Sequence, residues 1–350
     1  MTPCTLWGKD VLIDLKTCLS DEEIAAMDDI MPNMQHGWFK GTDNHWLNYR
    51  KFMPPDGQKP KGVLIYQHGI MDHCGVGYKL KDGTTTNYAL LGKSLIEEGF
   101  AFYVLDMRGH GFSEGLRHYV PDYSVNVNDF DNFSRFVDSS EFSGQDIPLY
   151  LGGHSYGGTI CLHVSRMWQN DTSKKPNGYR GSLLVAPAII GTLPAAPVVF
   201  VLRYILAPLI PTRTPFFMPN PVSADRIWNN QEVTEHPMFL RTKKINFDGS
   251  GRPMRLGTAV SLLAALEDVR DKVIPGFKVP FCVCHGTADD ATPISGTDLL
   301  DEKSNTPASD KSINKEEGKY HDLLSDVDRQ ETVSILLNWM NSRLDKDPFN

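Results

Sequence analysis

The pentapeptide GHSYG at residues 153–157 holds the clearest candidate for covalent chemistry in this chain of 350 residues. It follows the apolar run LYLGG and precedes a stretch with helical periodicity, GGTICLHVSRMW. In a tight strand–turn–helix connection, glycines two positions before and after a serine let the backbone approach closely, so that the Ser155 hydroxyl projects from the end of the strand. An ordinary serine in a glycine-rich turn is the alternative, but the flanking strand and helix favour a nucleophile.

A serine hydroxyl needs a base that takes its proton and a third group that orients the base. When the serine sits on such a turn, the acid and then the base follow it along the chain, on loops after later strands. Asp289 follows the strand-like run VPFCVCHG, and His321 precedes the last helical segment. We therefore expect Ser155, Asp289 and His321 to act together as a catalytic triad.

Neighbouring residues offer alternatives for the acid and the base. Asp290 could orient the base instead, although the G-x-x-D spacing from Gly286 favours Asp289. Asp322 adjoins His321 and is expected to point to solvent. Other histidines lie in glycine-rich contexts but do not fit the order of serine, acid and base; we expect them to hydrogen-bond loop backbone beside the site: His68, His110, His154 and His285.

Acyl transfer also requires two N–H donors that bind the developing oxyanion. The turn itself supplies the N–H of Tyr156, and the loop after the run VLIYQHG supplies a second candidate, the N–H of Ile70. A plain strand-to-loop turn at Gly69 is the alternative for this second position.

The elements that must position these residues alternate along the chain. Short apolar runs bounded by Gly, Pro or Asp are typical of parallel strands covered on both faces, and segments of helical periodicity lie between them. This alternation predicts an α/β protein with a mostly parallel, doubly wound sheet. We expect an N-terminal appendage at 1–35, a core at 36–190 and 256–350, and an inserted apolar cap, or lid, at 191–255.

The expected cap is rich in proline, aromatic and aliphatic residues, and it lies in the chain between two predicted strands. Ligands of open α/β sheets bind at the carboxyl ends of the strands, so the cap should cover that edge. More than half of its apolar residues are expected to pack the cap onto the core. Four residues are expected to contact the substrate: Met71, Phe200, Leu206 and Phe217.

Composition excludes several other classes of protein. The formal charge of −8 provides no basic surface for nucleic acid, and 41% hydrophobic residues with 22% charged residues indicate a folded globular chain. The longest apolar stretch, 195–210, is interrupted by Pro197, Arg203 and Pro208. The six cysteines form no paired motif, and the metal and phosphate-binding motifs are missing from the sequence. We expect a cytoplasmic protein without a cofactor that can also associate peripherally with membranes or lipid droplets.

Together, GHSYG, the HG turn at 68–69, RGHGFSEG, HGTAD and the YH before the last helix resemble the monoacylglycerol lipase and lysophospholipase family. The resemblance spans residues 37 to 344 and implies the α/β-hydrolase fold, a serine hydrolase activity and lipid ester substrates. It implies that the catalytic residues are Ser155, Asp289 and His321. The stretch HGIMDHCGV departs from the family pattern, since Asp72 replaces a glutamate and Val76 an arginine near the glycerol head group. Leu324 also stands where the family commonly has a second histidine.

The expected reaction is hydrolysis of a carboxylic ester of a lipid, either a monoacylglycerol or a lysophospholipid. The same triad could serve an acyltransferase, a non-lipid carboxylesterase or a small-peptide aminopeptidase, and a binding protein without turnover is a further alternative. The expected partners are the lipid ester and, through the cap, a transient membrane surface.

Overall fold

The structure, a computed structural model, describes residues 34–55, 58–74, 79–191, 194–215, 217–218, 222–235 and 254–346. Across these ranges one sheet of eight strands runs through the molecule. The strands are β1 (Met34–Lys40), β2 (Trp46–Phe52), β3 (Val63–Gln67), β4 (Ala101–Leu105), β5 (Leu149–His154), β6 (Tyr179–Val185), β7 (Phe281–Gly286) and β8 (Lys311–Glu316).

The order of strands in the sheet is β1-β2-β4-β3-β5-β6-β7-β8. Strands β1 and β2 pair antiparallel with each other, and β2 pairs antiparallel with β4. All pairs from β4 to β8 are parallel, so the prediction of a mostly parallel α/β sheet is confirmed. The sheet begins at Met34, within the segment expected to be an appendage, whereas residues 1–33 lie outside the described part of the chain.

Helices cover both faces of the sheet. They are α1 (Asn87–Glu97), α2 (Tyr123–Phe136), α3 (Tyr156–Asn170), α4 (Ala196–Val201), α5 (Ala207–Leu209), α6 (Ala224–Ile227), α7 (Gln231–Glu235), α8 (Leu256–Asp268), α9 (Ser295–Lys303) and α10 (Arg329–Asn341). None of the helices within the described ranges is long and apolar enough to cross a membrane.

Alternating strand residues separate the core into two clusters. Val283 of β7 faces the cluster formed with α2, α3 and α8, whereas Cys282 and Cys284 face the cluster formed with α1 and α10. The two cysteines therefore share one buried face, as their spacing predicts. Because both faces of the sheet are covered, the central strands β3, β5 and β7 are buried throughout and hold the loops at their carboxyl ends in fixed positions.

Helices α4 to α7 lie in the segment between β6 and α8, where the sequence predicts a cap. Helix α4 continues through a wide π-type turn, Leu202–Leu206, into α5. Helix α4 has no buried residue. A small cluster of Ala207, Met218 and Leu256 links α5 to the start of α8.

Candidate active site

Ser155 occupies a strained position between β5 and α3. Its φ of 55° and ψ of −122° lie in a region that side-chain-bearing residues rarely adopt. A Cβ added to Gly153 would lie 2.3 Å from the carbonyl of Gly157, and one added to Gly157 would lie 2.1 Å from the carbonyl oxygen of Gln67. Both glycines are therefore required by close backbone approach, which explains their spacing around the serine.

The loop after β3 passes directly beside this serine. A Cβ on Gly69 would lie 3.2 Å from the Cβ of Ser155, and Ile70 and Tyr156 line the same cavity as the serine. Since Tyr156 is the first residue of α3, its N–H has no carbonyl partner within the helix. The two expected N–H donors thus belong to residues that surround the serine.

His68 fixes the orientation of the peptide group that carries the Ile70 N–H. Its Nδ1–H donates to the carbonyl oxygen of Gly69 (2.7 Å), and its Nε2 accepts from the N–H of Met107 (2.9 Å). Burial lowers the pKa of His68, which keeps the ring neutral and this pair of roles fixed. The prediction that His68 binds loop backbone agrees with these contacts.

Asp289 and His321 meet although 32 residues separate them in sequence. The Nδ1–H of His321 donates to Oδ2 of Asp289 (2.7 Å). The second carboxylate oxygen accepts the backbone N–H groups of Ala291 (2.8 Å) and Thr292 (2.9 Å). Asp290, the alternative acid, is exposed. The loop geometry therefore selects Asp289 as the partner of His321.

The carboxyl of Asp289 is held in its charged form. Burial, the strongest single influence, would raise its pKa, but His321, His285 and the N–H of Thr292 together hold the pKa well below the usual range. An ionised carboxylate at Nδ1 orients the imidazole so that its Nε2 is free to accept a proton.

His285 has a closer relation to the site than the sequence indicates. Its Nε2 donates to the carbonyl oxygen of Thr292 (2.9 Å) and lies 3.2 Å from Oδ2 of Asp289. It was expected to contact loop backbone, and it does, but it also supports the acid directly. The strand position of His285, four residues before Asp289, is the signal that would have indicated this contact.

His154 and His110 are buried beside the site. The Nε2 of His154 donates to the carbonyl oxygen of His321 (3.2 Å), and Nδ1 of His110 donates to the carbonyl oxygen of Arg108 (2.9 Å). Burial lowers the pKa of each to about 3. Both histidines contact backbone, which agrees with the expected structural role.

Asp322 does not point to solvent, and that expectation is wrong. Its carboxylate is buried and accepts the indole N–H of Trp228 (2.7 Å) and the side-chain amide of Asn87 (3.2 Å). Its backbone N–H donates to the carbonyl oxygen of Ile227 (3.1 Å). These bonds join the loop of His321 to the chain segment after β6, which is a connection that adjacency to His321 alone could not reveal.

An apolar cavity of about 430 Å³ opens onto Ser155 and His321. A volume in this range is typical of small-molecule sites. Residues of α4, α8 and the connecting turn form much of its wall: Val198, Val199, Leu202, Leu262, Leu263 and Leu266. The cavity therefore extends from the serine into the segment between β6 and α8 and along α8.

Only one of the four residues expected to contact substrate lies on the described cavity wall. Phe217 lines it, whereas Phe200 is 56% exposed and Leu206 packs against the cluster around Met218. Since successive helical residues are rotated by about 100°, Val198, Val199 and Leu202 face inward and Phe200 faces outward. Met71 has a φ of 60° and packs against the core. Its neighbour Ile70, and not Met71, lines the cavity.

No group of three or more His, Cys, Asp or Glu side chains suited to a metal occurs in the described ranges. The histidines of the site are instead bound to backbone, to a threonine or to Asp289. The arrangement can transfer a proton at His321, which lines the same cavity as a serine in a strained turn.

Comparison with known proteins places this geometry in a family. The family model Hydrolase_4, described as serine aminopeptidase, S33, matches residues 58–328. The monoglyceride lipase of Rattus norvegicus is 27% identical over 304 residues, which cover 86% of this chain and 87% of that protein. The caffeoylshikimate esterase of Arabidopsis thaliana is 26% identical and covers 87% of this chain and 83% of its own length.

The fold is also shared with solved structures. A soluble variant of monoglyceride lipase from Saccharomyces cerevisiae, solved with a substrate analog, superposes with a TM-score of 0.65 at 20% identity. The match covers 89% of this chain and 94% of that one. The predictions of the α/β-hydrolase fold and of a serine ester hydrolase are confirmed at the level of the family. The chain belongs to the Hydrolase_4 (serine aminopeptidase, S33) family of α/β hydrolases.

Proposed function

We propose that this protein hydrolyses carboxylic esters of single-chain lipids through Ser155, His321 and Asp289. One observation carries the proposal: a serine in a strained turn and a histidine bound to a buried carboxylate line the same apolar cavity. A lipid ester needs both the nucleophile and an apolar channel for its acyl chain, and this cavity offers them side by side.

In the proposed reaction, the Ser155 oxygen attacks the ester carbonyl while Nε2 of His321 takes the hydroxyl proton. The N–H groups of Ile70 and Tyr156 bind the oxyanion of the tetrahedral intermediate. When this intermediate collapses, the carbon–oxygen bond to the alcohol breaks and His321 returns the proton to the leaving alcohol. Water, activated by His321 in the same way, then releases the fatty acid from the acyl-enzyme.

The wall of the cavity supports an acyl chain. Each buried CH₂ of a ligand contributes about 0.8 kcal/mol before the costs of ordering are subtracted. The apolar side chains of α4 and α8 supply this environment, and we assign the described part of the expected cap, 191–255, to a position over the site; residues 236–253 of that expectation lie outside the described ranges. The names of the monoglyceride lipase relatives are consistent with such a substrate.

An aminopeptidase requires a different kind of site. A peptide substrate with a free amino terminus needs a carboxylate to bind its ammonium group. The described cavity wall holds no carboxylate, and its permanently charged side chains are Arg203 and Arg226. Both are cationic, so these residues favour the ester over the peptide.

The cap also offers a surface for contact with lipid. Large apolar side chains of the segment 198–210 are exposed, including Phe200, Tyr204 and Leu209 at 56%, 61% and 74%. Clusters of exposed apolar residues mark interaction sites. The net charge of −8 opposes attachment to anionic membranes, so we propose transient, apolar contact of a cytoplasmic protein with membranes or lipid droplets.

The proposed function is tested with a panel of monoacylglycerols, lysophospholipids and p-nitrophenyl esters, assayed beside Ser155→Ala. We expect hydrolysis by the wild type only, together with labelling of Ser155 by a phosphonate probe. Adding an alcohol or lysolipid acceptor measures acyl transfer in the same assay. A folded wild type that neither reacts with the probe nor cleaves any ester would contradict the proposal.

A further inference from the structure

Arg226 lies at the wall of the cavity, and among the described residues no carboxylate pairs with it. It lines the cavity together with Ala291, Thr292 and His321. Its Nη2 donates to the backbone carbonyl of Asp290, and within the described residues its side chain makes no ion pair. A guanidinium has five N–H donors, so one carbonyl leaves most of them available to a ligand.

Arg203 provides a direct comparison on the same wall. Its Nη2 donates to Glu267 (2.8 Å), which neutralises its charge locally. Of the two arginines on this wall, Arg226 is therefore the one whose charge no carboxylate of the described ranges compensates.

The position of Arg226 is fixed relative to His321. The next residue, Ile227, accepts the backbone N–H of Asp322 (3.1 Å), and Trp228 donates its indole N–H to the Asp322 carboxylate (2.7 Å). Helix α6 is thus joined to the loop that carries the proposed base. Arg226 lies at the His321 end of the cavity, whereas Val199, Leu202 and Leu263 form the apolar wall on α4, the turn after it and α8.

The chemistry of acyl transfer determines which part of the substrate lies at the His321 end of the cavity and which part lies along the apolar wall. His321 must protonate the leaving alcohol, so the alcohol of the ester lies on the side of His321. The acyl chain then extends along the apolar wall. A cation at the His321 end consequently faces the head group of the substrate and not its acyl chain.

We propose that Arg226 binds a phosphate group on the alcohol portion of the substrate, which makes lysophospholipids, and not neutral monoacylglycerols, the preferred substrates. This inference rests on the proposed ester hydrolysis and specifies its substrate class. Arginine is suited to the role because its planar donor pair matches two phosphate oxygens, and such charge-assisted hydrogen bonds are the stronger ones.

The test compares two octanoyl esters as dispersed monomers, 1-octanoylglycerol and 1-octanoylglycerol 3-phosphate. We expect the wild type to have the lower KM for the phosphate ester. Arg226→Gln should raise the ratio of the KM for the phosphate ester to the KM for the neutral ester by about tenfold or more. Arg226→Lys, which retains the charge, should restore part of the preference. Arg203→Gln removes the same charge from the same wall and should change the ratio less than twofold.

Two results would overturn this assignment. One is a wild type that cleaves the neutral ester with the lower KM. The other is an Arg226→Gln variant that raises the KM for both substrates equally. That result would mean that Arg226 only joins α6 to the carbonyl of Asp290. Failure of the underlying function is distinct from both, since neither ester would then be cleaved and the phosphonate would not label Ser155.

Discussion

The two ends of the cavity are built on different physical principles. At the His321 end, buried polar groups hold each other in place: Asp289 accepts hydrogen bonds from His321, Ala291 and Thr292. At the other end, the wall is aliphatic, and α4 contributes residues that are nowhere buried. Hydrogen bonds are directional, whereas apolar contact is not. Substitutions at the polar end should therefore abolish most of the activity. Substitutions at the apolar end should reduce activity in proportion to the apolar contact that they remove.

The largest effect is expected at the polar end. Ser155→Ala and His321→Ala should each lower kcat by about 10⁴-fold or more, because each removes a group on which the others depend. The double variant should lose little more than either single variant. Steady-state kinetics of the three variants provides the measurement, and losses that multiply would show that the two residues do not act as a unit.

The second largest effect is expected at Asp289, and its neighbour Asp290 provides a matched control. Asp289→Asn should lower kcat by about 10²-fold or more, because an amide can stabilise the wrong tautomer of His321. Asp290→Asn removes the same charge one residue away on an exposed side chain and should change kcat less than twofold. If the two variants lost activity equally, the loop as a whole, and not the Asp289 carboxylate, would be responsible.

The low pKa of Asp289 also has a consequence for stability. A carboxyl whose pKa is lowered by folding stabilises the native state above its unfolded pKa of about 4, and this contribution is lost as the pH falls further. Between pH 5 and pH 3, the wild type should lose about 1–2 kcal/mol more than Asp289→Asn. Urea unfolding at each pH measures this difference. Parallel pH dependence of the two proteins would contradict the assigned direction.

At the apolar end, Leu202→Ala should reduce kcat/KM for dodecanoyl esters by about three- to tenfold and leave butanoyl esters nearly unchanged. The reason is that Leu202, in the turn after α4, belongs to the apolar wall, and a long acyl chain contacts more of this wall than a short one does. Val327→Ala is the control, since Val327 is 63% exposed and lies outside both the cavity wall and the exposed apolar segment 198–210. An equal loss of kcat/KM for both chain lengths would mean that the substitution destabilises the protein and does not act on binding of the acyl chain.

The same contrast explains what the sequence could predict. Ser155 and Asp289 follow from local patterns, because each stands at the end of a strand-like run, and His321 follows from its place before the last helical segment and from the order of the three residues. The inward face of α4 does not, since it depends on the phase of the helix and on the π-type turn Leu202–Leu206 that follows it. Apolar character alone therefore predicts Phe200 and Leu206 as substrate contacts, and in the structure neither side chain lines the cavity.

Strand β8 and the Asp322 network show the other kind of difficulty. The sequence KSINKE of β8 is polar because the strand lies at the edge of the sheet, so the apolar pattern used to predict strands overlooks it. Asp322 is buried only because Trp228 and Asn87, which are 94 and 235 residues away in sequence, converge on it. Contacts of that range leave no local signal in composition or periodicity.

The backbone of Ser155 implies a trade-off between stability and activity. A positive φ at a residue with a side chain costs about 1–3 kcal/mol, whereas glycine adopts this conformation freely. Replacing the serine by glycine should therefore yield a protein that is inactive yet harder to unfold than the alanine variant. The turn at Ser155 thus gives up folding free energy to hold the hydroxyl that the proposed reaction needs at the end of β5.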